Sequence, residues 1–205
     1  HAGVKTHAAW KKDVALIVSD VDCAAAAVFT KNVVKAAPIH VDLQHLKNGR
    51  ARAVIANSGN ANACAPQGEE NAERMCAAVA GAIGCAAEDV LVSSTGVIGQ
   101  RINVEAIEAA VPALCAALER SEAASDAAGH AIMTTDTVKK EVAVETTVGG
   151  KTVRLGGVAK GSGMIHPNMG TMLCFLTTDC AISPEMIKAA LLETAAVSFN
   201  RISVD

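Results

Sequence analysis

A chain of 205 residues can bury the core of one good-sized domain. With 51% hydrophobic but only 2% aromatic residues, that core must be built from Ala, Val, Ile, Leu and Met. A net charge of −3 and a pI near 6.1, with no basic patch, argue against a nucleic-acid or membrane-surface partner and point to a small-molecule substrate.

The seven cysteines, Cys23, Cys64, Cys76, Cys85, Cys115, Cys174 and Cys180, are odd in number and scattered through apolar stretches. Without a CxxC pair or an HExxH motif they support no metal site and read as reduced, buried thiols of a cytoplasmic protein. No signal peptide is visible, and no apolar run approaches the ~18 residues of a membrane span. His1 stands where a methionine would begin a gene, and Asp205 follows a helix-like segment, so both ends read as cut.

Taken in order, the apolar run between Asp13 and Asp20 suits a buried strand. Ala26 to Thr30, Ala37 to Val41 and Ala51 to Ala56 read the same way, which predicts a β-rich first quarter. The polar segment Asn57 to Asn62 follows as a turn at a strand end, either a binding loop or a plain turn. Between Gln67 and Gly84, Met75, Val79 and Ile83 fall on one face of a helix that opens with Glu69 and Glu70.

Val90 to Val92 reads as a strand leading into Ser93-Ser94-Thr95-Gly96-Val97-Ile98-Gly99. Its hydroxyls and exposed backbone N–H groups are the parts of an oxyanion hole, or of an ordinary Ser/Thr turn. A second helix spans Asn103 to Leu118, with a kink or a later start expected at Pro112. A third, Ser121 to Met133, delivers the chain to the polar cluster Thr134-Thr135-Asp136-Thr137, suited to holding charged groups or forming a local turn.

Lys140 to Arg154 alternates like two strands around Gly149-Gly150, a hairpin signal. Then comes Gly156 to Thr178, around which the rest of the chain is organised: glycine punctuation, a lone lysine at Lys160, and a loop with His166, Pro167 and Asn168. The step Gly170–Thr171 then stands before an apolar strand, Met172 to Leu176. A threonine hydroxyl there could attack the carbonyl of Gly170, and hydrolysis of the resulting ester would free Thr171 as an N-terminus carrying both nucleophile and base. The plainer reading is a loop entering a core strand, with Lys160 a surface charge and His166 a loop histidine making one backbone bond. Ser183-Pro184-Glu185 finally opens a helix running to about Val197.

Five blocks carry a resemblance: VALIVSD (Val14 to Asp20), NSGNANAC (Asn57 to Cys64), SSTGVIG (Ser93 to Gly99), AIMTTDT (Ala131 to Thr137) and AKGSGMIHPNMGTML (Ala159 to Leu173). In this order the chain resembles the bifunctional ornithine acetyltransferases, or glutamate N-acetyltransferases, of the ArgJ family. The resemblance implies an α/β (α+β) fold, a layered αββα-type sandwich of the ArgJ/DmpA-like kind, incomplete in a single domain of residues 1–205. Residues 1–170 would correspond to the α chain and 171–205 to the start of a β chain whose remainder is missing.

It also implies self-cleavage at Gly170–Thr171 and an acetyl-Thr171 intermediate that carries acetyl from N2-acetyl-L-ornithine to L-glutamate. Thr95 and Gly96 become the oxyanion hole, and Thr134, Lys160 and Thr171 the substrate contacts. No cofactor or metal is expected, although acetyl-CoA is a possible donor. The expected assembly is a heterotetramer of two α and two β chains, with exposed apolar surface where the missing half docks and no activity expected for these residues alone. Gly170 departs from the alanine common before the nucleophile. A self-cleaving aminopeptidase or amidase with a related sandwich, or an inactive fragment, are the alternatives.

Overall fold

The computed structural model describes residues 1–5, 11–168 and 170–205. Two three-stranded sheets and five α-helices make up its main elements. The first sheet holds β1 (Val14–Ala24), β2 (Arg50–Asn60) and β3 (Val90–Val97) in the order β1-β2-β3, with β1 antiparallel and β3 parallel to β2. The second is an antiparallel meander of β4 (Lys140–Val148), β5 (Lys151–Lys160) and β6 (Leu173–Thr178).

Alternation assigns the two faces of the first sheet. Ile55 and Val92 pair across β2 and β3 on one face, and with Val14 and Val90 they join Met75, Val79, Ile107 and Val111 in the main core. That face is covered by α1 (Ala37–His45), α2 (Gly68–Ile83) and α3 (Val104–Ala116). On the opposite face Ala15 and Ala56 meet α4 (Glu122–Ile132), whose Ala131 and Ile132 also pack against Val158 and Phe175 of the second sheet. Thr95 and Ser58 lie opposite one another in register, two residues beyond the Ala56–Ser93 pair, so their side chains emerge on the α4 side.

Three helices start where the sequence places their caps. Asn103, Ser121 and Ser183 accept from the backbone N–H groups of Ala106, Ala124 and Met186, opening α3, α4 and α5 (Pro184–Val197). The hairpin also matches: Val148 pairs with Lys151, and Gly149 and Gly150 both take positive φ, as a two-residue primed turn requires.

Other expectations need correction. Ala37 to Val41 is the start of α1 rather than a strand; the run is too short for periodicity to decide, and Pro38 sits in the helix's first turn. Ala26 to Thr30 forms no strand. Asn57 to Asn60 is not a turn but the buried end of β2, since pairing with β3 satisfies its backbone. Helix α3 starts at Val104, not nearer residue 112, and continues past Pro112 to Ala116. The glycines at 156 and 157 lie within the central strand β5, where the Leu176 side chain of β6 lies over Gly157: a Cβ there would stand 2.7 Å from Leu176 Cδ2. Of the cysteines only Cys76 is buried, and Cys64 is exposed.

The second sheet and the last helix are thinly covered. Every residue of β4 is exposed, α5 buries none of its residues, and Val142, Val144, Val148, Met186, Leu192 and Val197 all stand exposed. Among the described residues no helix is long and apolar enough to cross a membrane.

Candidate active site

Lys160, expected as a surface charge, is only 3% exposed. It ends β5, and its ammonium crosses to the first sheet, donating to Thr95 Oγ1 at 3.1 Å and to Thr134 Oγ1 at 2.8 Å. Three residues from separate segments thus meet at one point: the end of β3, the exit of α4 and the end of β5. Burial lowers the affinity of Lys160 for its proton, while the carboxylate of Asp136 opposes that loss. An ammonium has three N–H donors, and among the described residues two threonine hydroxyls take two of them, which leaves one able to meet a ligand.

Asp136 braces this point. It accepts from the Gly161 N–H at 2.8 Å and from Lys140 Nζ at 2.8 Å. Burial pushes its carboxyl up, but Lys140 and the N–H groups of Gly161 and Thr134 prevail and hold it below the usual carboxylate range. One carboxylate therefore fixes the turn that follows Lys160 and remains charged beside it. Thr135 and Ser162 tie the same two segments through their hydroxyls at 2.7 Å.

A buried polar layer under β3 sets the position of Thr95. Asn57 is fully buried, accepts from Ser94 Oγ at 2.6 Å and donates to the Asn60 carbonyl at 2.9 Å. Ser58 donates to the Ala131 carbonyl, linking β2 to α4. Gly96 follows with φ +136° against the backbone of Gly59; a Cβ on it would stand 2.4 Å from the Gly59 carbonyl carbon. Only glycine permits that approach, so packing dictates the residue at position 96.

Gly170 and Thr171 lie just before β6, whose Leu173 pairs with Lys160. Both have positive φ, +88° and +79°. No direct hydrogen bond joins Thr171 to Lys160, Thr95 or Thr134 among the described residues, so Thr171 approaches this cluster through the chain and the β5–β6 pairing. β6 is a half-buried edge strand rather than a core strand. His166 is exposed; its ring meets Ser203 Oγ at 3.4 Å, not a backbone group, and its backbone pairs with Gly170.

The model of the ArgJ family matches residues 1–205. The chain belongs to the ArgJ family. It is 49% identical over 205 residues to the arginine biosynthesis bifunctional protein ArgJ of Symbiobacterium thermophilum, covering all of this chain and 50% of that protein. With ArgJ of Bacillus subtilis the identity is 48% over 197 residues, 95% of this chain and 48% of the relative. The chain thus spans about half the length of the curated relatives it matches.

Among solved structures, ArgJ of Bacillus halodurans superposes with a TM-score of 0.76 at 42% identity, over 83% of this chain and 87% of that one. Ornithine acetyltransferase of Mycobacterium tuberculosis, complexed with ornithine, gives a TM-score of 0.72 at 39% identity, over 81% and 87%. Within this chain Thr95, Thr134 and Lys160 meet at one point, and Gly96 follows Thr95 in β3. Sequence reasoning missed Asn57 and Ser58 as its support, having read the NSGN block as a turn; their small polar side chains in a strand register were the available signal.

Proposed function

We propose that this chain is the first half of a self-cleaving N-acetyltransferase of arginine biosynthesis. In this reading residues 1–170 form the α chain and Thr171 begins the β chain. Thr171 takes acetyl from N2-acetyl-L-ornithine, releasing ornithine, and passes it to L-glutamate; acetyl-CoA is a further candidate donor. The single observation that carries the reading is the buried Lys160 ammonium held by Thr95 and Thr134 beside the strand that Thr171 enters.

Each step assigns work to these residues. After cleavage the Thr171 α-amine, with an ordinary pKa of ~7.7–8.0, is partly neutral near neutral pH and can take the proton from its own hydroxyl. Oγ adds to the acetyl carbonyl, and the oxyanion that forms is met by donors at Thr95 and Gly96. Collapse expels ornithine as its amine, protonated by the Thr171 ammonium, and leaves acetyl-Thr171. The glutamate amine then attacks the ester, and Oγ departs with a proton. Lys160, cationic and with one donor to spare, suits a substrate carboxylate and electrostatically favours a neutral Thr171 amine.

Lengths support the two-chain reading. The chain spans half of the curated relatives but 87% of each solved chain, which suits proteins that are encoded whole and found in two pieces. The remaining half would cover the bare face of β4 and α5, and the assembly would be a heterotetramer of two such pairs. The relatives favour the acetyltransferase over the aminopeptidase or amidase reading.

The test is single turnover. Full-length enzyme incubated with N2-acetyl-L-ornithine without glutamate is expected to carry one acetyl group on the peptide that begins at Thr171, discharged by added glutamate. Release of acetate with no acetyl-glutamate would instead favour a hydrolase.

A further inference from the structure

Thr171 is β-branched, yet it has φ +79°, a region that such side chains avoid because Cβ and its branches collide with the neighbouring carbonyl. Gly170 before it lies at φ +88° and Asn168 at φ +62°. Asparagine and glycine enter this region at small cost, but threonine does not. A strained residue persists only where its surroundings impose the strain.

Those surroundings centre on Asn168. Its carbonyl accepts from the Lys31 N–H at 2.9 Å and from Thr30 Oγ1 at 3.0 Å. Its own N–H donates to Asn200 Oδ1 at 3.1 Å. Thr30 also packs on the residue at the junction, since a Cβ on Gly170 would stand 3.2 Å from Thr30 Cβ. Flanking bonds secure both sides: Ile165 and Val204 exchange N–H···O bonds at 2.8 Å, and Thr30 Oγ1 accepts the Asn32 N–H at 3.1 Å. The turn is thus gripped by the segment before α1 on one side and the segment after α5 on the other.

We propose that Thr30 and Asn200, acting through Asn168, are positioning residues for self-cleavage that hold the Gly170–Thr171 peptide in a strained left-handed turn, a role that rests on the cleavage reading above. Thr171 Oγ adds to the Gly170 carbonyl carbon, the C–N bond breaks, and the hydroxyl proton passes to the departing amine, giving an ester. Water then hydrolyses the ester to the Gly170 carboxylate and restores the Thr171 hydroxyl. The φ of Thr171 is defined by the bond that breaks, so its strain is released in the first step and favours the ester over the peptide. Once the chain is cut the clamp has no further task.

The experiment is a time course of cleavage after cell-free synthesis of the full-length protein, read by intact mass, for wild type, Thr30→Val, Thr30→Ser and Asn200→Leu. Acetyl transfer is assayed in parallel on the same variants made from two separately encoded, co-expressed chains. Thr30→Val and Asn200→Leu are expected to slow cleavage at least tenfold, Thr30→Ser to stay near wild type, and the co-expressed pairs to transfer acetyl at the wild-type rate. Wild-type cleavage rates in Thr30→Val and Asn200→Leu, or loss of transfer in their pre-cut pairs, would overturn the clamp while leaving the cleavage reading intact. An uncut wild type would overturn the cleavage reading itself.

Discussion

Lys160 Nζ lies 3.1 Å from Thr95 Oγ1, and this bond ties the end of β5 in one sheet to the end of β3 in the other. Because the two groups are buried together, removing Lys160 takes away the donor to Thr95 Oγ1, and removing Thr95 leaves the buried ammonium with Thr134 but one bond fewer in a low-dielectric site. Thr95→Ala is expected to lower kcat/KM for acetyl transfer by about 100-fold, equivalent to roughly 3 kcal/mol of lost oxyanion stabilisation. Lys160→Met should raise KM for N2-acetyl-L-ornithine more than it lowers kcat. The double variant should lose less than the two losses summed, since the residues share a bond. Additive losses in steady-state kinetics would separate the two roles.

Gly96→Ala is a test of packing. The added methyl meets the Gly59 backbone at 2.4 Å on a residue at φ +136°, and backbone cannot move aside as a side chain can. A loss on the order of 1–3 kcal/mol in chemical denaturation of the full-length protein is expected. Gly81→Ala, in α2 with open space around its Cβ, is the control and should leave stability unchanged or slightly raised. Equal effects at both positions would contradict the close approach.

Asp42 gives a pH prediction. It accepts the Val92 N–H at 2.9 Å, and His45 one turn later meets the Val90 carbonyl at 2.8 Å, so α1 caps the free edge of β3 with side chains. Burial pushes the Asp42 carboxyl up to about 7, against the pull of the Val92 N–H and of His45. The folded protein then holds a proton that the unfolded chain releases near pH 4. Stability from this group is present in full below that value and is lost as pH rises through about 7, a change on the order of 4 kcal/mol. Asp42→Asn should flatten the fall between pH 4 and 7, because the amide oxygen can still accept from Val92. An unchanged slope in denaturation midpoints across that range would count against it.

The bare second sheet yields a further expectation. With β4 fully exposed and α5 burying nothing, residues 1–205 made alone should bind a hydrophobic dye strongly, and the full-length protein should not. Equal dye binding would mean that the second half docks elsewhere.

Much of this architecture was legible in the residues, and the failures have physical causes. α2, α5 and the 149–150 hairpin announced themselves through caps, periodicity and turn glycines, all local signals. α1 was misread because a short apolar run suits helix and strand alike, and what decides it is the tertiary role of Asp42 and His45 at the β3 edge. The NSGN block was misread because its small polar residues favour turns locally, whereas pairing with β3 and the Asn57–Ser94 bond outweigh that preference. Of the candidate site, the residue types came from the family resemblance. The burial of Lys160 did not, since a charge is expected outside until Thr95, Thr134 and Asp136 are seen around it.

The central claim is that Thr171 becomes an N-terminal nucleophile. Intact mass and N-terminal sequencing of the full-length gene product, beside Thr171→Ala, test it most directly. The account predicts two chains for wild type, the second beginning at Thr171, and a single uncut chain for the variant. A single uncut chain in both, with acetyl transfer still present in the variant, would contradict it.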